Sequence, residues 1–339
     1  MLPLAAALFA GLAGAAHAGT ITLYGVADAY AEIGKGDRKE ASLNSGGFSG
    51  SRLGFDASQD LGNGMKAVGK LEAGFAIDSG ASTQGGLLFG RQAYAGVTGD
   101  FGSLTAGRQY TPQFGALDSN DPFETGAGSA VSSGIVSIFA SRANNSVVWA
   151  SPAYGPVSIT AMLAAGESGT GSQTNSSLAE VNFHLGSGNA GVDLTLSGQK
   201  RAVDAGVNAG AATLGGYYDF GAVKLLGGVQ FVNNSSRAAA TEDNRREFFA
   251  GVNVPFGADV LWLGAGTGKT QRVADSTATQ YSVGYMHNIV KGFDVYGVLT
   301  TISNGDATAY SDDTATGAGP AVSDGKSASA AQVGFRYRF

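Results

Sequence analysis

Apolar and polar side chains alternate along much of this chain, in segments of about ten residues. The alternation is plain at 157–163, 192–197 and 280–285, and it is strongest in the last eleven residues, Ser329–Phe339. There the odd positions from 331 onward are Ala, Val, Phe, Tyr and Phe, while the even positions from 332 onward are Gln, Gly, Arg and Arg. Because successive side chains of a strand point to opposite faces, each segment predicts a strand with one apolar and one polar face. Aromatic residues at the end of such a strand are typical of a membrane barrel, whose outside meets lipid and whose lumen is wet.

The stretches between these strands are alternately short and long. Seven short, glycine-containing turns occur near 61–64, 100–102, 153–156, 186–189, 220–221, 255–257 and 290–292. Eight longer connections, rich in Gly, Ser, Asp and Asn, occur near 34–46, 78–86, 111–142, 166–175, 201–210, 233–244, 271–277 and 304–326. Seven and eight connections make fifteen, which join sixteen strands. An even number of strands with tight turns on one rim and longer loops on the other predicts an all-β, antiparallel transmembrane barrel of the bacterial outer-membrane type.

The third long connection, 111–142, exceeds ordinary loop lengths. It contains the acidic residues Asp118, Asp121 and Glu124, followed by the apolar stretch Ile135–Phe139. A loop with its own apolar residues needs a surface on which to pack. We therefore expect it to fold into the barrel and narrow the lumen; the alternative is a loop that lies outside.

Composition supports a two-faced sheet. The chain has 339 residues, of which 54 are Gly and 14% are charged, against about 25% in ordinary soluble domains. Mean hydropathy is only +0.04, as expected when a lipid face and a polar face are averaged. There is no Cys, which excludes disulfides, thiolate nucleophiles and zinc–cysteine sites. The net charge of −6 argues against nucleic acid as a partner.

The first eighteen residues form an apolar run that ends in Ala16-His17-Ala18. This pattern predicts a signal peptide cleaved after Ala18, which leaves 19–339 as a single exported domain. No later segment has eighteen or more consecutive apolar residues, so a membrane-spanning form requires a closed barrel.

Several short motifs occur in order along the mature chain: Thr22–Gly25, Ser51–Phe55, Gly90–Val97, Ala106–Gln109, Arg142–Ser146, Gly284–Asn288 and the terminal Phe339. Together they resemble the general trimeric porins of Gram-negative outer membranes, particularly the β-proteobacterial group. The resemblance implies a sixteen-stranded barrel, a homotrimer, contact with outer-membrane lipid and lipopolysaccharide, and no cofactor. It also implies passive passage of small hydrophilic solutes and inorganic ions.

The same resemblance suggests a charged constriction. It places wall arginines at Arg52, Arg91 and Arg142 and opposing loop acids at Asp118, Asp121 and Glu124, and it compares Arg108 with an arginine near the subunit contact. The alternation along the strand supports Arg52 independently, because Arg52 falls on the polar face. Arg91 falls on the same face as apolar neighbours, so its assignment to the pore wall rests on the resemblance. Because pore selectivity depends on diameter and rings of charge, the clustered arginines predict weak anion selectivity, opposed by the loop acids.

Other functions are less well supported. A barrel enzyme needs a nucleophile, a base and an orienting acid, but the mature chain has only His184 and His287, which we interpret as lumen and interface residues. Two distant histidines also make a poor metal site, so no catalytic or metal-binding residue is predicted. A closed structural or adhesive barrel and a substrate-specific channel remain alternatives; the latter often carries a row of aromatic residues, and no convincing row is evident.

Overall fold

The computed structural model describes residues 19–166, 177–200, 208–235, 244–312 and 319–339. The predicted signal peptide therefore lies outside the described residues. Within them, one α-helix, α1 (Pro112–Asn120), accompanies seventeen strand segments. The strands are β1 (Thr20–Lys35), β2 (Lys39–Ser45), β3 (Arg52–Gly62), β4 (Met65–Gly74), β5 (Gln92–Gly99), β6 (Gly102–Tyr110), β7 (Arg142–Ala150), β8 (Val157–Ala164), β9 (Ser177–Ser187), β10 (Ala190–Lys200), β11 (Asn208–Asp219), β12 (Lys224–Ser235), β13 (Arg245–Phe256), β14 (Asp259–Thr270), β15 (Thr277–Val290), β16 (Phe293–Asn304) and β17 (Ala328–Arg338).

These strands form one antiparallel sheet that closes on itself where β1 pairs with β17. At this seam the backbone of Phe339 exchanges hydrogen bonds with Gly25 at 2.9 and 3.1 Å. β2 and β3 both pair with β1, on its later and earlier halves, and so occupy one position in the wall. Over the described ranges the barrel thus has sixteen wall strands, as the sequence predicts.

The seven short turns are all confirmed and lie on one rim, while the longer connections lie on the other. Most of the connection predicted at 166–175, and parts of those at 201–210, 233–244 and 304–326, lie outside the described residues. The prediction of a loop across 34–46 is wrong over most of its length. β1 continues to Lys35, and residues 39–45 pair with it as β2. Pairing between backbones satisfies their hydrogen-bonding groups whatever the side chains are, so a polar composition does not exclude a strand.

Side-chain exposure confirms the two faces. In β17, Val333 is 69% exposed on the outside, whereas the adjacent Gln332 is 1% exposed on the lumen side. The segment 260–265, which is apolar on both faces in the sequence, follows the same rule. Leu263 faces outward and Trp262 is buried inside, where the third long loop covers it.

The third long loop, 111–141, folds into the barrel, which confirms the expectation from its length and apolar residues. Ile135 and Val136 are fully buried with Leu117 against the inner wall residues Ala278 and Ile302. The apolar core of this protein therefore lies inside the lumen, between the loop and the wall. No helix in the described ranges is long and apolar enough to cross a membrane.

Polar wall residues also hold the loop. Three carboxylates that point into the lumen accept hydrogen bonds from it at 2.8–2.9 Å: Glu180 from the Gln113 N–H, Asp193 from the Asn120 amide, and Glu247 from the Ser137 N–H. Charge-assisted hydrogen bonds of this kind are stronger than neutral ones, so the loop is a fixed part of the barrel interior.

Candidate pore constriction

A water-accessible space of about 660 Å³ separates the third long loop from the facing barrel wall. Arg52, Arg91 and Arg142 line it from the wall, and Asp118 and Glu124 line it from the loop. Five of the predicted constriction residues, which are far apart in sequence, therefore meet around one cavity.

Arg91 is buried against an acidic partner. Its Nε donates to Glu72 at 2.9 Å, and Tyr24 donates its hydroxyl hydrogen to the other Glu72 oxygen at 2.8 Å. Arg91 precedes β5, so the strand parity that grouped it with apolar neighbours does not apply at this position. Glu72 was missed as part of the site, although its place on the polar face of β4 was a usable signal.

Tyr110 organises two of the arginines. Both Arg91 and Arg142 donate to its hydroxyl, the latter at 2.6 Å, and the Arg142 guanidinium lies 4.3 Å from the ring centroid. The Tyr110 ring in turn stacks on Phe114 of α1, with centroids 4.8 Å apart. Because an arginine over an aromatic face is attracted to the ring electrons, this stack fixes the two cations in the lumen wall. No pattern in the sequence indicated this role for Tyr110.

Arg52 and Arg142 keep their charges available to the lumen. Arg52 donates through Nε to the Gly50 carbonyl at 2.8 Å, and Arg142 Nε has no hydrogen-bond partner among the described residues. Neither forms an ion pair within 4.0 Å in that part of the chain. Three arginines and one glutamate, Glu72, therefore leave a formal charge of +2 on the wall side.

The loop side carries two acids in different surroundings. Asp118 accepts a hydrogen bond from the Thr125 hydroxyl, and partial burial raises the pKa of its carboxyl group above the ordinary value. Glu124 is exposed to the lumen, and it and Thr125 both adopt φ of 50°, in the left-handed region that non-glycine residues rarely occupy. This turn presents the Glu124 side chain to the cavity.

Asp121, the remaining predicted loop acid, lies outside this cavity. It ends α1, and its carboxylate accepts the backbone N–H groups of Phe123 at 3.3 Å and Thr125 at 2.9 Å. Burial raises its pKa to about 6. The structure thus places Asp121 where it shapes the turn that carries Glu124.

The chain matches known proteins along most of its length. The family model described as Gram-negative porin matches residues 4–308. The chain belongs to this family. It is 29% identical to outer membrane porin protein 32 of Delftia acidovorans over 99% of both chains. It is 38% identical to an outer membrane porin protein of Bordetella pertussis over 44% of each chain.

Solved structures agree with the family assignment. An anion-selective porin from Comamonas acidovorans is 27% identical and superposes with a TM-score of 0.84, covering 95% of this chain and all of that one. OmpT of Vibrio cholerae, 19% identical with a TM-score of 0.73 and covering 95% of this chain and all of that one, shares the fold. The resemblance to β-proteobacterial porins is confirmed. This chain is an outer-membrane porin, a water-filled channel through which small hydrophilic solutes and ions pass.

Arg108 lies on the opposite side of the porin wall from the arginines that line the cavity. In the sheet Arg108 lies opposite Ala93 on the neighbouring strand, and Ala93 lies opposite the outward-facing Leu71. Because residues directly opposite each other share a face of the sheet, the Arg108 side chain also points outward. There it donates to the Gly90 carbonyl at 2.7 Å and to Asn144 at 2.6 Å. A guanidinium amid an apolar outer surface needs a polar environment, which bare hydrocarbon does not supply.

The two histidines within the described residues each contact an aspartate near the short-turn rim. His184 in β9 lies 3.0 Å from Asp193, and His287 in β15 contacts Asp259. In the ranges the structure describes, no group of three or more His, Cys, Asp or Glu side chains could hold a metal ion.

Proposed function

We propose that this porin is a weakly anion-selective general diffusion channel and that its selectivity is set between the loop and the arginine-bearing wall. The observation that carries this proposal is the clustering of Arg52, Arg91 and Arg142 around one cavity, where the one ion pair given for these arginines in the described ranges is that between Arg91 and Glu72. Local charge at the narrowest part of a channel governs which ions enter, more than the net charge of the chain.

The loop acids limit this preference. Asp118 and Glu124 add a formal charge of −2 opposite the wall charge of +2, so the lumen is crossed by an electric field while the sum is close to zero. Because burial raises the pKa of Asp118, its negative charge is lost sooner than that of an exposed aspartate as the pH falls, which favours the arginine side. A solved porin from Comamonas acidovorans, 27% identical to this chain, is named as anion-selective, in agreement with this reasoning.

The transverse field also suggests which neutral solutes pass well. A polar solute can orient its dipole between the two charged sides, whereas an apolar solute loses hydration in the cavity and gains little in return. We therefore propose discrimination by size and polarity without recognition of one particular substrate, and without a catalytic step.

The remaining expectations from the sequence complete the proposal. The outward-facing Arg108, held by Asn144, would lie in a contact between subunits of a homotrimer, where polar partners are available. The outer wall would contact lipid and lipopolysaccharide, and cleavage after Ala18 would release the single domain 19–339. Crosslinking in intact outer membranes tests the trimer, and N-terminal sequencing of the mature protein tests the cleavage site.

Planar bilayers test the selectivity directly. The purified porin is reconstituted in a tenfold KCl gradient and the reversal potential is measured, while liposome swelling is followed with neutral sugars of increasing size. We expect a reversal potential of the sign given by chloride preference and swelling rates that fall smoothly with sugar size. A clear cation preference contradicts the proposed selectivity, and saturable uptake of one sugar contradicts general diffusion.

A further inference from the structure

A second inward segment lies beside the constriction loop. Residues 46–51, here called the inner bend, leave the wall between β2 and β3 and turn into the lumen. Gly46 begins the turn with φ of 75°, and Phe48 stacks on Trp262 of β14 with ring centroids 4.7 Å apart. Because Phe48 is 4% exposed, the inner bend is packed into the interior of the barrel.

One carboxylate holds the inner bend in place. Asp28 of β1 is fully buried and accepts the backbone N–H groups of three successive residues, Gly47 at 3.0 Å, Phe48 at 3.2 Å and Ser49 at 2.8 Å. Its fourth donor is the Tyr296 hydroxyl at 2.6 Å. Successive backbone N–H groups that converge on one anion form a nest, a geometry in which the anion fixes the conformation of the backbone.

The inner bend touches both sides of the constriction. The Gly50 carbonyl accepts from Arg52 Nε at 2.8 Å, and the Gly47 carbonyl accepts from the backbone N–H of Ala127 in the constriction loop at 2.7 Å. A Cβ atom at Gly50 would lie 2.7 Å from a terminal nitrogen of Arg91, so the bend also abuts that arginine. The position of the bend therefore determines where Arg52 and the loop can lie.

We infer that Asp28 is a positioning residue, which sets the width and charge geometry of the pore through the inner bend. This inference rests on the constriction proposed above. Replacing the carboxylate by an amide keeps one accepting oxygen but turns an NH₂ group towards N–H donors. Backbone N–H groups that are buried without an acceptor are costly, so the inner bend would move away from Asp28. Arg52 and the constriction loop would then lose the hydrogen bonds that they make with the bend.

The test is the single-channel behaviour of Asp28→Asn in planar bilayers. If the effective diameter of the narrowest part grows by about a fifth, conductance rises about 1.4-fold, because it follows the cross-section. We also expect noisier open-channel currents. Glu32→Gln is the matched control, since Glu32 is a buried acid on the same face of β1 that accepts from Gln332 at 2.7 Å. Unchanged conductance in Asp28→Asn, or an equal rise in Glu32→Gln, overturns the inference.

Tyr296→Phe provides a second variant in case Asp28→Asn does not assemble. It removes one of the four donors to Asp28, and we expect a smaller rise in conductance with the same sign. If Tyr296→Phe conducts as the unmodified porin and Asp28→Asn does not fold, the inference fails. The reversal potential of Arg52→Ala tests the proposed constriction separately, so each idea can fail without the other.

Discussion

Removing the two available wall charges should reverse the ion preference of this porin. In Arg52→Ala/Arg142→Ala the formal charge around the cavity falls from zero to −2, because Arg91 and its partner Glu72 cancel while Asp118 and Glu124 remain. A space of about 660 Å³ corresponds to a sphere with a radius of about 5 Å, so an ion at its centre lies about 6 Å from each guanidinium group. At that distance in water one charge contributes about 0.7 kcal/mol, which screening at about 0.1 M salt reduces to about 0.4 kcal/mol.

This energy acts with opposite sign on anions and cations. Each lost charge therefore changes the anion-to-cation permeability ratio about three- to fourfold, and the pair changes it about tenfold. A weak anion preference then becomes a cation preference, and the reversal potential in a tenfold KCl gradient changes sign and moves by about 45 mV. Single-channel recordings in planar bilayers measure this shift.

The control must remove the same charge from elsewhere. Arg38 lies in the exposed turn after β1 and Arg246 is exposed in β13, so Arg38→Ala/Arg246→Ala has the same net charge as the pore variant. We expect its reversal potential to equal that of the unmodified porin. An equal shift in both double variants would show that overall charge dominates, and no shift in either would exclude Arg52 and Arg142 from the filter.

Lowering the pH should strengthen the anion preference, because burial raises the pKa of Asp118 and this carboxyl group is neutralised at a higher pH than an exposed aspartate; the shift in reversal potential should be smaller in Asp118→Asn. Burial also raises the pKa of Asp121 to about 6. The protonated carboxyl group therefore stabilises the folded porin fully below the pKa of the unfolded chain, and this stabilisation is lost as the pH rises through about 6. Urea midpoints should be higher at low pH than at neutral pH, and Asp121→Asn should lose this dependence. Glu247→Ala leaves the Ser137 N–H and hydroxyl groups without their buried acceptor, so the free energy of unfolding in urea titrations should fall by about 2–4 kcal/mol. An unchanged free energy of unfolding would show that the loop does not depend on this contact. Gly251→Val should cost about 1–3 kcal/mol in the same assay, because a Cβ there would lie 2.4 Å from Pro122 of the loop.

Much of the fold could be predicted from the sequence because a membrane barrel imposes one rule on every wall strand. Lipid outside and water inside require alternation, and the tight turns mark where strands end. The rule failed at 39–45, where the mostly polar side chains predicted a loop but the backbone forms a strand that pairs with β1. The alternation rule also gave no register for 260–265, where the inner face is apolar because a loop covers Trp262.

The site was predictable only in part. The alternation along the strand supports Arg52, whereas Arg91, Arg142 and the role of the loop acids were expected from the family resemblance. The polar face of β4 indicated Glu72 only as one of several lumen charges, and nothing singled out Tyr110, because both roles depend on which arginines the folded wall brings beside them. Asp121 and Glu124 look alike in sequence, but the end of α1 buries one and exposes the other.

The interior of this porin therefore has two kinds of surface, and the distinction explains how the pore can be both open and rigid. Where the loop lies against the wall, Phe123 and Trp262 pack as in a soluble protein core and exclude water. Where the loop faces Arg52 and Arg142, charges line a cavity that cannot be filled without burying them. Burying unpaired charge is costly, so the arginines oppose collapse of the loop onto that wall, while apolar packing on the other side keeps the loop from swinging away. We therefore expect the arginines that are proposed to select ions also to hold the channel open.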